Sequence, residues 1–169
     1  YESVDYISLH KYWNNYPKDT LNYLASHYEL DEYIGTVRSV IQYIKAKKRA
    51  KNDVYICFDE WNPWYHTNKR DHELLKTWDW PEAPHLFEDP YNLEDALLVG
   101  TVINSFIRNA DIVKIACMAQ LVNVIAPIST KKGGFVWKQT IFYPYYLASK
   151  YGRGTALQAQ VASPTYDCT

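Results

Sequence analysis

This 169-residue sequence has no excess charge of either sign: 18 basic residues face 19 acidic ones, for a formal net charge of −1. It therefore lacks the electrostatic footprint that nucleic acid or an anionic membrane surface requires, and its expected partner is uncharged or small. No run of about 18 apolar residues occurs and no N-x-Ser/Thr acceptor is present, so neither a membrane span nor glycosylation is indicated. Cysteines number 3. Cys57, Cys117 and Cys168 stand far apart without C-x-x-C spacing, which fits the reduced thiols of a cytoplasmic protein. Neither an initiator Met nor a lead-in segment precedes Tyr1, so the chain reads as a piece of a larger protein. The absence of a signal peptide then carries no information, and secretion stays open.

What the sequence does have is aromatic rings, at 16% of residues, including 16 Tyr and 6 Trp. A ring with one polar edge suits stacking on a sugar face, and it suits wedging helices onto a sheet equally well. Along the chain, Val4 to Leu9 is a short β-prone run followed by a polar, aromatic loop from His10. Helical spacing from Asp31 to Arg49 places Tyr33, Ile34, Val37, Val40, Ile41 and Ile44 on one face. Val54 to Phe58 is uniformly apolar, as in a strand buried on both faces. A connection of about thirty residues, Trp61 to Tyr91, follows, longer than compact domains usually carry without a function. Asn92 then predicts an N-cap with Asp95 three residues on, opening a helix whose stripe would be Leu93, Ala96, Leu97, Gly100, Ile103, Phe106 and Ile107. Ile112 to Met118 is a further buried strand, Phe135 to Trp137 a short one, and Ile141 to Tyr151 a helix closed by Gly152.

Strand and helix alternate three times, the signature of parallel strands with helical crossovers. Three units cannot close a barrel alone. They fit part of an eight-stranded (β/α) barrel or half of an open doubly wound sheet, but no glycine-rich phosphate loop of the second kind follows any strand. In a barrel the C-terminal strand ends converge on the face that holds the active site. Those ends here carry His10 and Tyr12, Asp59 and Glu60, and Gln120 and Asn123.

Glu60 is the principal candidate. A carboxylate at the end of a buried strand either works as a nucleophile or base, or is satisfied by a salt bridge or cap. Strict alternation would put Asp59 on the opposite face, where a structural bond is its expected fate. His10 and Tyr12, two apart, point the same way, and a Tyr hydroxyl can orient a carboxylate while a neutral His binds a sugar hydroxyl. Packed core roles for both remain open. Gln120 offers a donor and an acceptor, suited to hydroxyls or to tying down backbone. His66, His72 and His85 share one loop but lack the spacing of a zinc helix, so no metal site is expected. The run Lys45 to Arg49 is a solvated helix end.

Three stretches taken together, Asp5-Tyr6-Ile7-Ser8-Leu9-His10, Phe58-Asp59-Glu60-Trp61-Asn62-Pro63-Trp64-Tyr65 and Met118-Ala119-Gln120-Leu121-Val122-Asn123-Val124-Ile125, resemble the α-L-arabinofuranosidases of glycoside hydrolase family 51, in order and over nearly the whole chain. The resemblance implies a retaining hydrolase on an α/β fold, a (β/α)8 TIM barrel followed by a β-sandwich domain. Residues 1–155 would be the last three βα units of the barrel, and 156–169 the start of the β-sandwich domain or a linker. By similarity Glu60 falls on the nucleophile, Tyr12 on the tyrosine beside it, His10 on a histidine of the same strand end, and Trp64 and Gln120 on the wall of the sugar subsite. The family's acid/base lies in a Gly-Asn-Glu sequence on the fourth strand. No such sequence occurs here, so the chain by itself is expected to be inactive.

The implied partner is an arabinose-containing oligosaccharide or polysaccharide, arabinoxylan or arabinan in type, with no cofactor, no nucleic acid and no membrane. A homo-oligomer of the full-length enzyme stays open, with the long loop covering the site or meeting a neighbouring subunit. Two other readings stand beside this one: another retaining barrel glycosidase, xylanase- or glucanase-like, and a non-catalytic aromatic-rich carbohydrate-binding module.

Overall fold

A computed structural model describes residues 1 and 3–168. Its centre is a three-stranded parallel sheet in the order β1-β2-β3, formed by Tyr6–Trp13, Tyr55–Pro63 and Val113–Met118. Between β1 and β2 the chain passes through α1 (Thr20–Ala25) and α2 (His27–Lys48), and between β2 and β3 through α3 (Asn68–Leu75) and α4 (Leu93–Arg108). A short antiparallel hairpin, β4 (Ile128–Thr130) with β5 (Val136–Lys138), precedes α5 (Phe142–Tyr151). The parallel βα order expected from the sequence is present. The sheet is open, because β1 and β3 each pair on one side only.

Helix α2 forms because Leu30, Ile34 and Ile41 recur at helical spacing and are buried, while Lys45, Lys47 and Lys48 crowd its last turn beside the negative end of the helix dipole. Val40, expected in the buried stripe, is exposed. Helix α4 opens on a capping box: the Asn92 side chain accepts from the Asp95 N–H at 3.1 Å, and the Asp95 carboxylate accepts from the Asn92 N–H at 2.9 Å. Its buried face is Asp95, Leu98, Val99, Val102, Ser105 and Phe106, whereas Leu93 and Leu97 are exposed. The expected stripe is thus rotated. Glu94, Thr101, Asn104 and Arg108 lie on the side of Leu93 and Leu97 and carry it toward solvent, and Asp95 is drawn inward by partners from other elements.

Four further expectations are corrected. Strand β1 runs on through His10 to Trp13 rather than breaking into a loop at His10, because Lys11, Tyr12 and Trp13 pair with Trp61, Asn62 and Pro63. Of β2, only one face is packed: Ile56 and Phe58 are fully buried against the helices, while Cys57 and Asp59 retain exposure. Strand β3 is an edge, with Lys114, Ile115 and Cys117 exposed. The long connection after β2 also contains a helix, α3, missed because Leu74 and Leu75 are its only apolar residues and offer no helical period. The helix closed at Gly152 and the short strand at Val136 are as expected. Residues 152–168 carry no helix or strand, and Tyr166 donates its hydroxyl to the Leu21 carbonyl at 3.1 Å.

The core joins Leu9, Trp13, Ile34, Phe58, Trp61 and Val99 among others, with the Phe106 ring 5.0 Å from Phe58 and 5.2 Å from Trp61. Leu98, with no exposure, is expected to cost about 3 kcal/mol when cut to Ala. Asn92→Ala, which removes half the capping box, should cost about 1 kcal/mol. Urea unfolding of each variant checks both. Equal losses would mean that α4 is not held mainly by its buried face.

Candidate functional site

The site is made by an irregularity in the central strand. Ser8 and His10 of β1 lie opposite Cys57 and Glu60, so two steps on β1 match three on β2, and the β2–β3 register slips over the same stretch. Phe58 and Trp61, three residues apart, are both buried on the helix-packed face at 0% and 1% exposure. A regular strand would send them to opposite faces. The extra residue is a β-bulge, and it turns Asp59 and Glu60 together toward the other face. Placing these two acids on opposite faces by simple alternation is therefore incorrect.

On that face the two carboxylates meet β1. The Ser8 hydroxyl donates to Asp59 at 2.7 Å, and the Tyr12 hydroxyl donates to Glu60 Oε1 at 2.5 Å. His10 lies between them, its Nε2 3.4 Å from Asp59 Oδ1 and its Nδ1 3.6 Å from Glu60 Oε2. The Ser8 bond, reinforced by His10, holds Asp59 below the usual carboxylate range. Burial, and then the bond and charge of Glu60, push the Tyr12 phenol well above its ordinary value, so it remains a donor at any physiological pH. The Trp64 ring stands edge-on to Tyr12, with centroids 5.3 Å apart.

His10, Tyr12, Trp64 and Glu60 thus converge. Gln120 does not share a bond with them. Its N–H donates to the Ile125 carbonyl at 3.2 Å, and it lines a separate apolar cavity with Met118, Leu121, Ile128 and Tyr145. The three loop histidines part company: His66 Nε2 is 2.8 Å from Asp95, His72 faces the Phe87 ring, and His85 Nδ1 is 2.9 Å from Glu88. Lys45, in the basic run, pairs with Asp53.

Ser8 went unnoticed in the sequence, although its spacing two before His10 places it on the same strand face. Asp89 and Asp95 were also missed as organisers. Asp89, 1% exposed, accepts the backbone N–H groups of Tyr65, His66 and Thr67 at 3.0 Å each and the Thr67 hydroxyl at 2.6 Å. Asp95, fully buried, accepts from Tyr23 at 2.9 Å, Tyr65 at 3.3 Å and His66. Asn62, also buried, ties β2 to the segment after β3 through the carbonyls of Ala119 and Ile125. Carboxylates and amides at that depth are tolerable only with such partners.

Burial alone would lower the His66 pKa. The bond and charge of Asp95, with Asp89 and Glu94 behind it, outweigh burial and hold it above 6.5. A folded value above the unfolded one means that the pair's stabilisation is complete below about pH 6.5 and fades as pH rises through the folded value. The stability difference between wild type and His66→Gln, from urea unfolding at pH 6 to 9, is expected to shrink toward alkaline pH. A constant difference would sink this assignment.

The sequence model of the family described as "Alpha-L-arabinofuranosidase C-terminal domain" matches residues 59–169. An intracellular exo-alpha-(1->5)-L-arabinofuranosidase from Halalkalibacterium halodurans is 56% identical over 99% of this chain and 33% of its own length. The intracellular exo-alpha-(1->5)-L-arabinofuranosidase 1 of Bacillus subtilis is 52% identical over 100% of this chain and again 33% of its own length. Among solved structures, a family 51 alpha-L-arabinofuranosidase from Bifidobacterium longum superposes with a TM-score of 0.89 at 32% identity, over 98% of this chain and 35% of that one. The chain spans about a third of the length of the curated relatives it matches.

Proposed function

The chain belongs to the alpha-L-arabinofuranosidase family whose C-terminal domain model it matches, and from that premise we propose that its parent protein is a retaining, exo-acting arabinofuranosidase in which Glu60 is the nucleophile. The observation that carries the proposal is Glu60 at the bulge of the central parallel strand, fixed by the Tyr12 hydroxyl at 2.5 Å beside the Trp64 ring. Parallel βα units present their chemistry at the C-terminal strand ends, and this one gathers its acids there.

In this reading residues 1–155 are the last three βα units of a (β/α)8 barrel, and 156–169 begin a β-sandwich domain or a linker. Tyr12 occupies Oε1 of Glu60, which leaves Oε2 to attack the anomeric carbon of a terminal arabinofuranosyl unit. The bond to the leaving oxygen breaks as a carboxylic acid protonates it, and water then cleaves the glycosyl ester with retention. That second carboxyl group stands about 5 Å from the nucleophile in retaining enzymes. It comes from a segment outside this chain. His10 and Gln120 hydrogen-bond sugar hydroxyls, and Trp64 walls the ring. The substrate is an arabinan- or arabinoxylan-type oligosaccharide, and the name "intracellular" on the relatives supports action inside the cell. Among the described residues no helix is long and apolar enough to cross a membrane.

Glu60→Gln in the parent protein is expected to remove nearly all turnover of an aryl α-L-arabinofuranoside while leaving unfolding unchanged. A mechanism-based fluoro-sugar should add to the Glu60 peptide, read by mass spectrometry. A wild-type rate in the variant would end the nucleophile assignment, and an unlabelled peptide would favour a binding module. Tyr12→Phe removes one bond to a charged group, so kcat should fall about 10- to 100-fold. The 169-residue chain alone is expected to show no turnover, since it supplies one carboxyl of the pair.

A further inference from the structure

The segment that follows Trp64 is held by buried acids. Asp71, Asp89 and Asp95 have 0%, 1% and 0% exposure, and all three grip the segment between β2 and α4. Three successive N–H groups, those of Tyr65, His66 and Thr67, point at the one carboxylate of Asp89. Asp95 takes the side chains of Tyr65 and His66. Asp71 accepts the Phe87 N–H at 2.7 Å, and the Phe87 ring stands perpendicular to Trp64 with centroids 5.3 Å apart. On the near side the Trp64 backbone N–H donates to the Trp13 carbonyl at 2.9 Å, and the Trp64 ring meets Tyr12, the residue that holds Glu60.

Surface turns ordinarily satisfy their N–H groups with water, and burying a carboxylate to do the same work is costly. Such an expense is accounted for if the backbone beside Trp64 has to occupy one position. We propose that Asp89 is a positioning residue for substrate binding: it fixes the 65–67 turn and so sets the pose of the Trp64 indole against the sugar and against the Tyr12–Glu60 pair. This rests on the reading of Trp64 as the wall of the arabinose site. Asp89 itself touches no substrate. Its effect belongs in ground-state and transition-state binding alike, hence in KM more than in kcat.

The test is Asp89→Asn in the full-length protein, assayed on an aryl α-L-arabinofuranoside. An amide presents one oxygen, so either the Tyr65 and His66 donors or the two Thr67 donors lose their acceptor. KM is expected to rise about five- to tenfold, the scale of a weakened aromatic contact, with kcat within about twofold. Combined with Trp64→Ala, Asp89→Asn should add almost nothing further, because both act through one ring. An unchanged KM, or two losses that simply add, would overturn the proposal, since a merely structural acid changes stability and not this coupling. Should Asp89→Asn fail to fold, Thr67→Val removes only the hydroxyl that faces Asp89 and Asp71, leaves both carboxylates in place, and enters the same cycle.

A parent protein without turnover on any arabinofuranoside would end the functional reading alone. The positioning role is then judged by the fluorine resonance of 5-fluorotryptophan at Trp64, assigned with Trp64→Phe. Displacement or broadening in the Asp89→Asn variant supports it, and an unmoved line overturns it.

Discussion

One extra residue in the middle strand governs the chemistry of this molecule. With Phe58 and Trp61 both pinned into the helix-packed core, the two residues between them have nowhere to go but the opposite face, so the bulge is held from behind by apolar burial. Asp59 and Glu60 emerge side by side as a result. Two adjacent carboxylates repel each other, and the arrangement is tolerable because β1 supplies a separate donor to each: Ser8 to Asp59 and Tyr12 to Glu60, with His10 between. A regular strand would have left one acid in the core and the other alone.

The remaining polar burial follows from the same geometry. Beyond the bulge β2 continues to Pro63 and then turns, and the turn is fixed chiefly by two buried acids from further along the chain: Asp89, which takes its backbone N–H groups, and Asp95, which takes the side chains of Tyr65 and His66. Apolar packing cannot hold a turn of exposed backbone N–H groups, whereas a buried carboxylate can, since it accepts several bonds at once. The aromatic residues fill the space between, with Tyr23, Tyr65, His66 and Tyr91 ring against ring. The high tyrosine content thus serves packing and hydrogen bonding together, in the same side chains.

Much of this was legible in the sequence. Strand and helix alternation announced the parallel order, the Asn92 and Asp95 spacing announced the capping box, and the strand-end position of Glu60 with His10 and Tyr12 two apart announced the cluster. These signals are local: a period, a cap, an offset of two. The errors share the opposite property. The open face of β2 and the exposure of Val40 depend on which elements lie alongside, and no local pattern carries that information.

The sequence by itself determined which elements form and which side chains stand at the strand ends, because helix caps, apolar periods and strand alternation act over a few residues. Only the tertiary structure decided that Asp59 and Glu60 share a face, that Ser8 and His10 answer them, and that buried aspartates hold the segment beside Trp64. The bulge exists as a mismatch between neighbouring strands, and the acids find partners 16 to 72 residues away in the chain, so neither is written in any short stretch of sequence.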